Sequence, residues 1–175
     1  MRIEADVVIP FPREAVFRAY RDELPQIAAF IPNVRSIEVR ARSEEGSIVT
    51  LHNVWHGGGD IPAAVRAVVD EKVLSWDDFA RWDAAQLEAS WTIRTHAFTD
   101  AVSCSGSTRI LAVGESKSRV ELTGEFAIDA RKVSGVPSLL AGSIGKTAEG
   151  FLARQITANL AATTEAVSRY LASKA

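Results

Sequence analysis

From Val34 to Asp129 the sequence is strand-like, with run after run of alternating apolar side chains, and beyond it the spacing lengthens to three and four towards the C-terminus. A period of two marks strands with one buried face, so this long central stretch commits the chain to a sheet that something must cover. The closing segment, about Thr147 to Ser173, supplies the cover. Phe151, Leu152, Ile156, Leu160, Val167, Tyr170 and Leu171 form a helical stripe along it. At about 1.5 Å per residue such a helix spans roughly 40 Å, enough to cross a small sheet.

The opening residues complete the pattern. Ile3, Ala5, Val7 and Ile9 alternate with Arg2, Glu4, Asp6 and Val8, a strand stopped by Pro10. Pro12 suits the first turn of a helix, where its missing N–H costs nothing, and Val16, Phe17 and Tyr20 give that helix an apolar face. Leu24, Ile27, Ala28 and Ile31 form a second short helix before Pro32 and Asn33. A meander follows. Ile37, Val39 and Ala41 turn at Glu44, Glu45 and Gly46 into Val49, Leu51, Asn53 and Trp55. Further strands are expected at Val65 to Val69, Val73 to Trp82, Ser90 to Thr95, Cys104 to Val113 and Val120 to Ile128, about seven or eight in all. Between Val133 and Gly150, Gly135, Gly142, Gly145, Gly150 and Pro137 predict a loop and a loosened start to the last helix.

Composition narrows the function classes. The 175 residues fit a single domain, residues 1–175, large enough to bury most of its apolar surface. A net charge of -2 lacks the positive excess that phosphate backbones demand, so no nucleic-acid partner is expected. Cys104 is the only cysteine, Glu4 and Asp6 interrupt any secretory core, and no window reaches the length of a membrane span. A cytoplasmic protein with no integral membrane segment is the expectation. The oligomeric state is left open.

In its element order the chain resembles the START-like superfamily, also called Bet v 1-like or SRPBCC, the polyketide cyclase and lipid transport group. The resemblance rests on Val7-Val8-Ile9-Pro10-Phe11-Pro12-Arg13-Glu14-Ala15-Val16-Phe17, similar to the family's strand, Pro turn and helix, and on Ile31-Pro32-Asn33-Val34, similar to its step into the second strand. It implies an α+β helix-grip fold, a curved antiparallel sheet wrapped on a long C-terminal helix. It also implies a cavity for lipids, sterols or polyketides. Members of the group include transporters, sensors, cyclases and aromatases, and chaperone activators.

Candidate chemistry is sparse. His52 and His56 are four residues apart, which in a strand is roughly 13 Å and too far to share one ion; no metal and no cofactor are expected. His96 shares the outward register of Arg94. Gly57, Gly58 and Gly59 lack the Lys and Ser or Thr of a phosphate loop. Asn53 and Trp55 share the inward face of Val49 and Leu51, and a buried amide needs a partner in protein, water or ligand. Trp91 is the matching aromatic on a later strand. Gln155, Asn159 and Thr163 repeat every four residues beside Leu152, Ile156 and Leu160. Arg109 is a candidate anchor for a carboxylate. Asp60, Asp77 and Asp78 are read as solvated carboxylates at turns or strand ends, and no nucleophile or general base stands out. The expectation is therefore a binder or carrier of a small hydrophobic molecule, held by Asn53, Trp55, Trp91, Arg109, Phe126, Leu152, Gln155, Ile156 and Asn159. A polyketide cyclase or aromatase using the same cavity, and an interaction module of the chaperone-activator kind, are the alternatives.

Overall fold

A computed structural model describes residues 1–58, 74–132, 139 and 141–175, with the side chains of 141–145, 147–149 and 151–155 outside that description. The elements are β1 (Arg2–Ile9), α1 (Arg13–Asp22), α2 (Leu24–Ile27) running into a 3-10 turn (Ala28–Phe30), β2 (Val34–Glu45), β3 (Ile48–Gly57), β4 (Ser75–Asp83), β5 (Glu88–Thr95), β6 (Val102–Ala112), β7 (Ser118–Ile128), a second 3-10 turn (Ala130–Lys132) and α3 (Ala141–Lys174). The seven described strands form one antiparallel sheet in the order β1-β7-β6-β5-β4-β3-β2. From β2 to β7 each described strand pairs with the next. α1 and α2 carry the chain from β1 at one edge to β2 at the other.

The period of two sets the faces. Val49, Leu51, Asn53 and Trp55 pair with Trp82, Ala80, Asp78 and Trp76, and these with Ala89, Trp91, Ile93 and Thr95. All lie on the inner, concave side. From β1 and β7 the same side receives Ile3, Ile9, Val120, Leu122 and Phe126, each almost fully buried. A register shift between Val39 and Ala41 bulges β2, a device that adds local twist to an edge strand.

Trp91 owes its place to two glycines. Gly106 and Gly124 are paired on β6 and β7, and a Cβ on either would come within 2.5 and 2.9 Å of the Trp91 ring. The bare backbone lets the indole lie flat across both strands, and Trp91 Nε1 donates to Thr108 Oγ1 at 3.1 Å. Trp91 is thus part of the packed core.

α3 is fixed by its C-terminal half. Ala166, Val167 and Tyr170 are buried, and Ile156, Leu160 and Leu171 pack beside them. Its partners in the sheet are β1 and β7, and it also packs on α1. Tyr20 Oη lies 2.5 Å from Thr164 Oγ1, Tyr170 Oη donates to Glu23, and Arg169 Nη2 donates to the Phe30 carbonyl at 2.6 Å. α1 in turn seats Phe17 edge-on against Trp82, with ring centroids 5.3 Å apart.

Two expectations change. The last helix begins at Ala141, well before Thr147, and runs through Gly142, Gly145 and Gly150. Once a helix is anchored by packing, each added residue fixes one more hydrogen bond, and that gain carries it through weak helix formers. The strand expected over Val73 to Trp82 is β4, Ser75–Asp83. The strand expected at Val65 to Val69 lies outside the described residues.

Candidate ligand site on the inner sheet face

At the end of the sheet near Gly57, four inward side chains of β3 and β4 meet. Asn53 and Asp78 are cross-strand partners, as are Trp55 and Trp76. Trp55 and Trp76 stack with ring centroids 5.7 Å apart and planes inclined by 19°. Asn53 Nδ2 donates to Asp78 Oδ2 at 3.2 Å, and Trp55 Nε1 donates to the same oxygen at 3.4 Å. Asn53 is fully buried, yet its Oδ1 has no hydrogen-bond partner.

The alternation Trp76, Asp78, Ala80, Trp82 puts the carboxylate in mid-strand, facing in. This corrects the expectation of a solvated turn residue: the tryptophans two places before and four places after it carry the signal of an inward register. Burial pushes the Asp78 carboxyl above the usual carboxylate range, against the opposing pull of the Asn53 and Trp55 hydrogen bonds. Asp78, Trp55, Trp76 and Ile93 are nevertheless half-buried, not fully enclosed.

α3 packs on β1 and β7, and Asn53, Trp55, Trp76 and Asp78 belong to β3 and β4. Val49, Leu51, Ala80 and Trp82, lower on the same two strands, are closed off.

The other candidates are placed as follows. Phe126 is buried opposite Cys104 in the core, and Ile156 packs half-buried against it. Arg109 is exposed on the outer face, paired with Glu88 on β5 and Glu121 on β7, so it does not point inward. Asn159 is exposed, and its carbonyl accepts from Thr163 Oγ1 at 2.8 Å. The side chains of Leu152 and Gln155 lie outside the described residues. Burial pushes the Cys104 thiol up to about 11, which leaves it unreactive.

The outer face carries a second polar cluster. Asp77 sits between two imidazoles, its Oδ1 2.7 Å from His52 Nε2 and its Oδ2 3.1 Å from His96 Nε2, while the His52 ring stacks on Phe79 at 4.5 Å. His96 lies on the outer face, as its register with Arg94 suggests, and is half-buried there by its contact with Asp77. Among the described residues no group of three or more His, Cys, Asp or Glu is placed to hold a metal ion. A shallow groove of about 450 Å³ beside Phe79, Arg81 and Thr92 lies on this outer side too, away from Asn53 and Asp78.

Solved structures with this architecture are numerous, and the likeness runs through the whole chain. TTHA0849 from Thermus thermophilus is 22% identical over 100% of both chains with a TM-score of 0.66. The Zhui aromatase/cyclase from Streptomyces sp. R1128 is 18% identical over 97% of this chain and 92% of its own, with a TM-score of 0.67. The chain has the Bet v 1-like fold. Norcoclaurine synthase from Thalictrum flavum shares that helix-grip architecture at 13% identity, over 98% of this chain and 86% of its own, with a TM-score of 0.56. No family model matches the sequence and no curated protein does. No described helix is long and apolar enough to cross a membrane.

Proposed function

We propose that this protein binds a small, largely apolar molecule between the inner face of β3 to β5 and the N-terminal half of α3. The observation that carries the reading is the half-open aromatic pair Trp55 and Trp76, stacked beside a buried amide and a desolvated carboxyl. Pockets for small molecules combine an apolar wall with a few placed polar groups, and this end of the sheet has that composition. The fold supports it, since solved structures of the same architecture include a norcoclaurine synthase in complex with dopamine and hydroxybenzaldehyde. Native mass spectrometry after mild purification tests the reading: a co-purifying mass, displaced by added aromatic or lipid, is expected. A protein that carries nothing and gains no thermal stability from a broad apolar panel would overturn it. A true ligand at a hundredfold excess over its Kd adds about 2.7 kcal/mol.

A second reading, a polyketide cyclase or aromatase, draws on Asp78. A carboxyl that burial pushes above its usual range is a candidate to exchange a proton with a bound molecule. Two aromatase/cyclases among the structural neighbours support this second reading through the shared architecture alone. Turnover of a poly-β-keto chain, lost in Asp78→Ala, would favour it over simple binding.

A further inference from the structure

The outer face of the sheet presents an exposed arginine on each of β4, β5 and β6, and the three have different neighbours. Arg94 is the cross-strand partner of Asp77, and Arg109 stands between Glu88 and Glu121, so both have carboxylates beside them. Arg81 stands between Thr50 and Ser90 instead. Asp83, two residues along the same strand, is already engaged: its Oδ1 accepts from Ser47 Oγ at 3.2 Å and from the Ala85 N–H at 2.9 Å. Among the described residues Arg81 forms no ion pair, and the hydroxyls of Thr50, Ser90, Thr92 and Ser105 form no hydrogen bond within the protein.

These side chains and Phe79 line the outer groove of about 450 Å³. Its depth comes from the contrast between short residues on β5 and β6, Ser90, Thr92 and Ser105, and the taller Phe79 and Arg81 of β4. Phe79 is 41% exposed yet held in place. The His52 ring stacks on it at 4.5 Å, and His52 Nε2 is itself fixed 2.7 Å from Asp77 Oδ1. An exposed aromatic secured on one face offers its other face to a ligand with little left to order on binding.

We propose that this groove is a second ligand site, separate from the inner face, for a small aromatic oxyanion whose head meets Arg81 and the Thr50 and Ser90 hydroxyls and whose ring lies against Phe79. The lining contains one cation and no carboxylate, so it complements a single negative charge. A guanidinium fork matches two oxygens of a carboxylate or a phosphate, and the flanking hydroxyls can donate to the same head. A cationic ligand would meet Arg81 without a counter-charge. The volume lies towards the small end of the range for small-molecule sites, about 300 to 1,000 Å³, which suits one or two rings and not a long chain.

NMR-monitored titrations with benzoate, phenyl phosphate, benzamide and inorganic phosphate test the site. Benzoate and phenyl phosphate should bind saturably, and the tighter of the two identifies the head. Benzamide keeps the ring without the charge and should bind about tenfold more weakly than benzoate. Inorganic phosphate keeps a head without the ring and should bind more weakly than phenyl phosphate. Arg81→Gln should abolish the preference for benzoate over benzamide, Phe79→Ala should abolish that for phenyl phosphate over inorganic phosphate, and Arg109→Gln should change neither. All three positions are exposed, so the variants should keep the wild-type melting temperature. Absence of saturable binding, equal binding of benzoate and benzamide, or a loss in Arg109→Gln as large as in Arg81→Gln overturns the proposal. Saturable binding that neither Arg81→Gln nor Phe79→Ala weakens also overturns it, and leaves the inner-face reading standing.

Discussion

At the residue scale, Asp77 and Asp78 are neighbours in sequence with opposite fates, because alternate residues of a strand face opposite sides of the sheet. Burial tends to raise the Asp77 carboxyl, but the His52 hydrogen bond and the His96 and His52 charges outweigh it and hold it below the usual range. A carboxyl depressed in the fold contributes stability above its unfolded pKa and loses it as pH falls through the folded one. Asp77→Asn should lower the melting temperature at neutral pH and narrow its gap to wild type in strong acid, which scanning calorimetry across pH would show. Asp78 has the reverse sign. Its folded carboxyl is raised, so the native state holds more protons than the unfolded chain and stability declines as pH climbs through that interval. Asp78→Asn is expected to raise the melting temperature at neutral pH, with the gain shrinking towards pH 4. A loss at neutral pH would mean that the carboxylate is better accommodated than its surroundings imply. Neither fate was legible in the sequence, where the doublet reads as a turn. Asn53 and Trp55 were legible, because Val49 and Leu51 fix their register.

At the scale of elements, the glycines under Trp91 are a sharper test of packing than any large core residue. A Cβ at Gly106 would lie 2.3 Å from the Thr123 carbonyl and 2.5 Å from the Trp91 ring, so one strand or the indole must move. Gly106→Ala should cost about 1 to 3 kcal/mol in urea denaturation, the range for overpacking a well-filled core. Gly124→Ala should behave similarly, since its Cβ would meet the Ser105 carbonyl at 2.6 Å. On the other layer, Tyr20→Phe removes the hydrogen bond that ties α1 to α3 at Thr164, at a cost of about 1 kcal/mol. Thr164 Oγ1 keeps its donation to the Leu160 carbonyl, which limits the loss. The strands and the packed half of α3 follow from period and stripe alone. The early start of α3 does not, because its glycines argue locally against helix and only the anchored remainder of the element overrides them. Arg109 shows the same limit: its register depends on Thr108 and Ile110 facing in, and flanking residues of mixed character left that undecided.

At the scale of the whole molecule, α3 packs on β1, β7 and α1, while Trp55, Trp76, Asp78 and Ile93 on β3 to β5 are half-buried. The architecture was legible from the order of periods along the chain, but which strands the helix packs on was not, since that depends on tertiary packing. The proposed function puts a small apolar molecule beside these half-buried residues. Ile93, the cross-strand partner of Asp78, packs at the margin of the core, and Ile93→Trp would take up the room proposed for the ligand. The decisive measurement is calorimetric titration of wild type and Ile93→Trp with a naphthalene-sized aromatic compound. Saturable one-to-one binding to the wild type, lost in a variant that melts within a few degrees of it, is the expected result; no saturable binding, or binding that Ile93→Trp leaves undiminished, would contradict it.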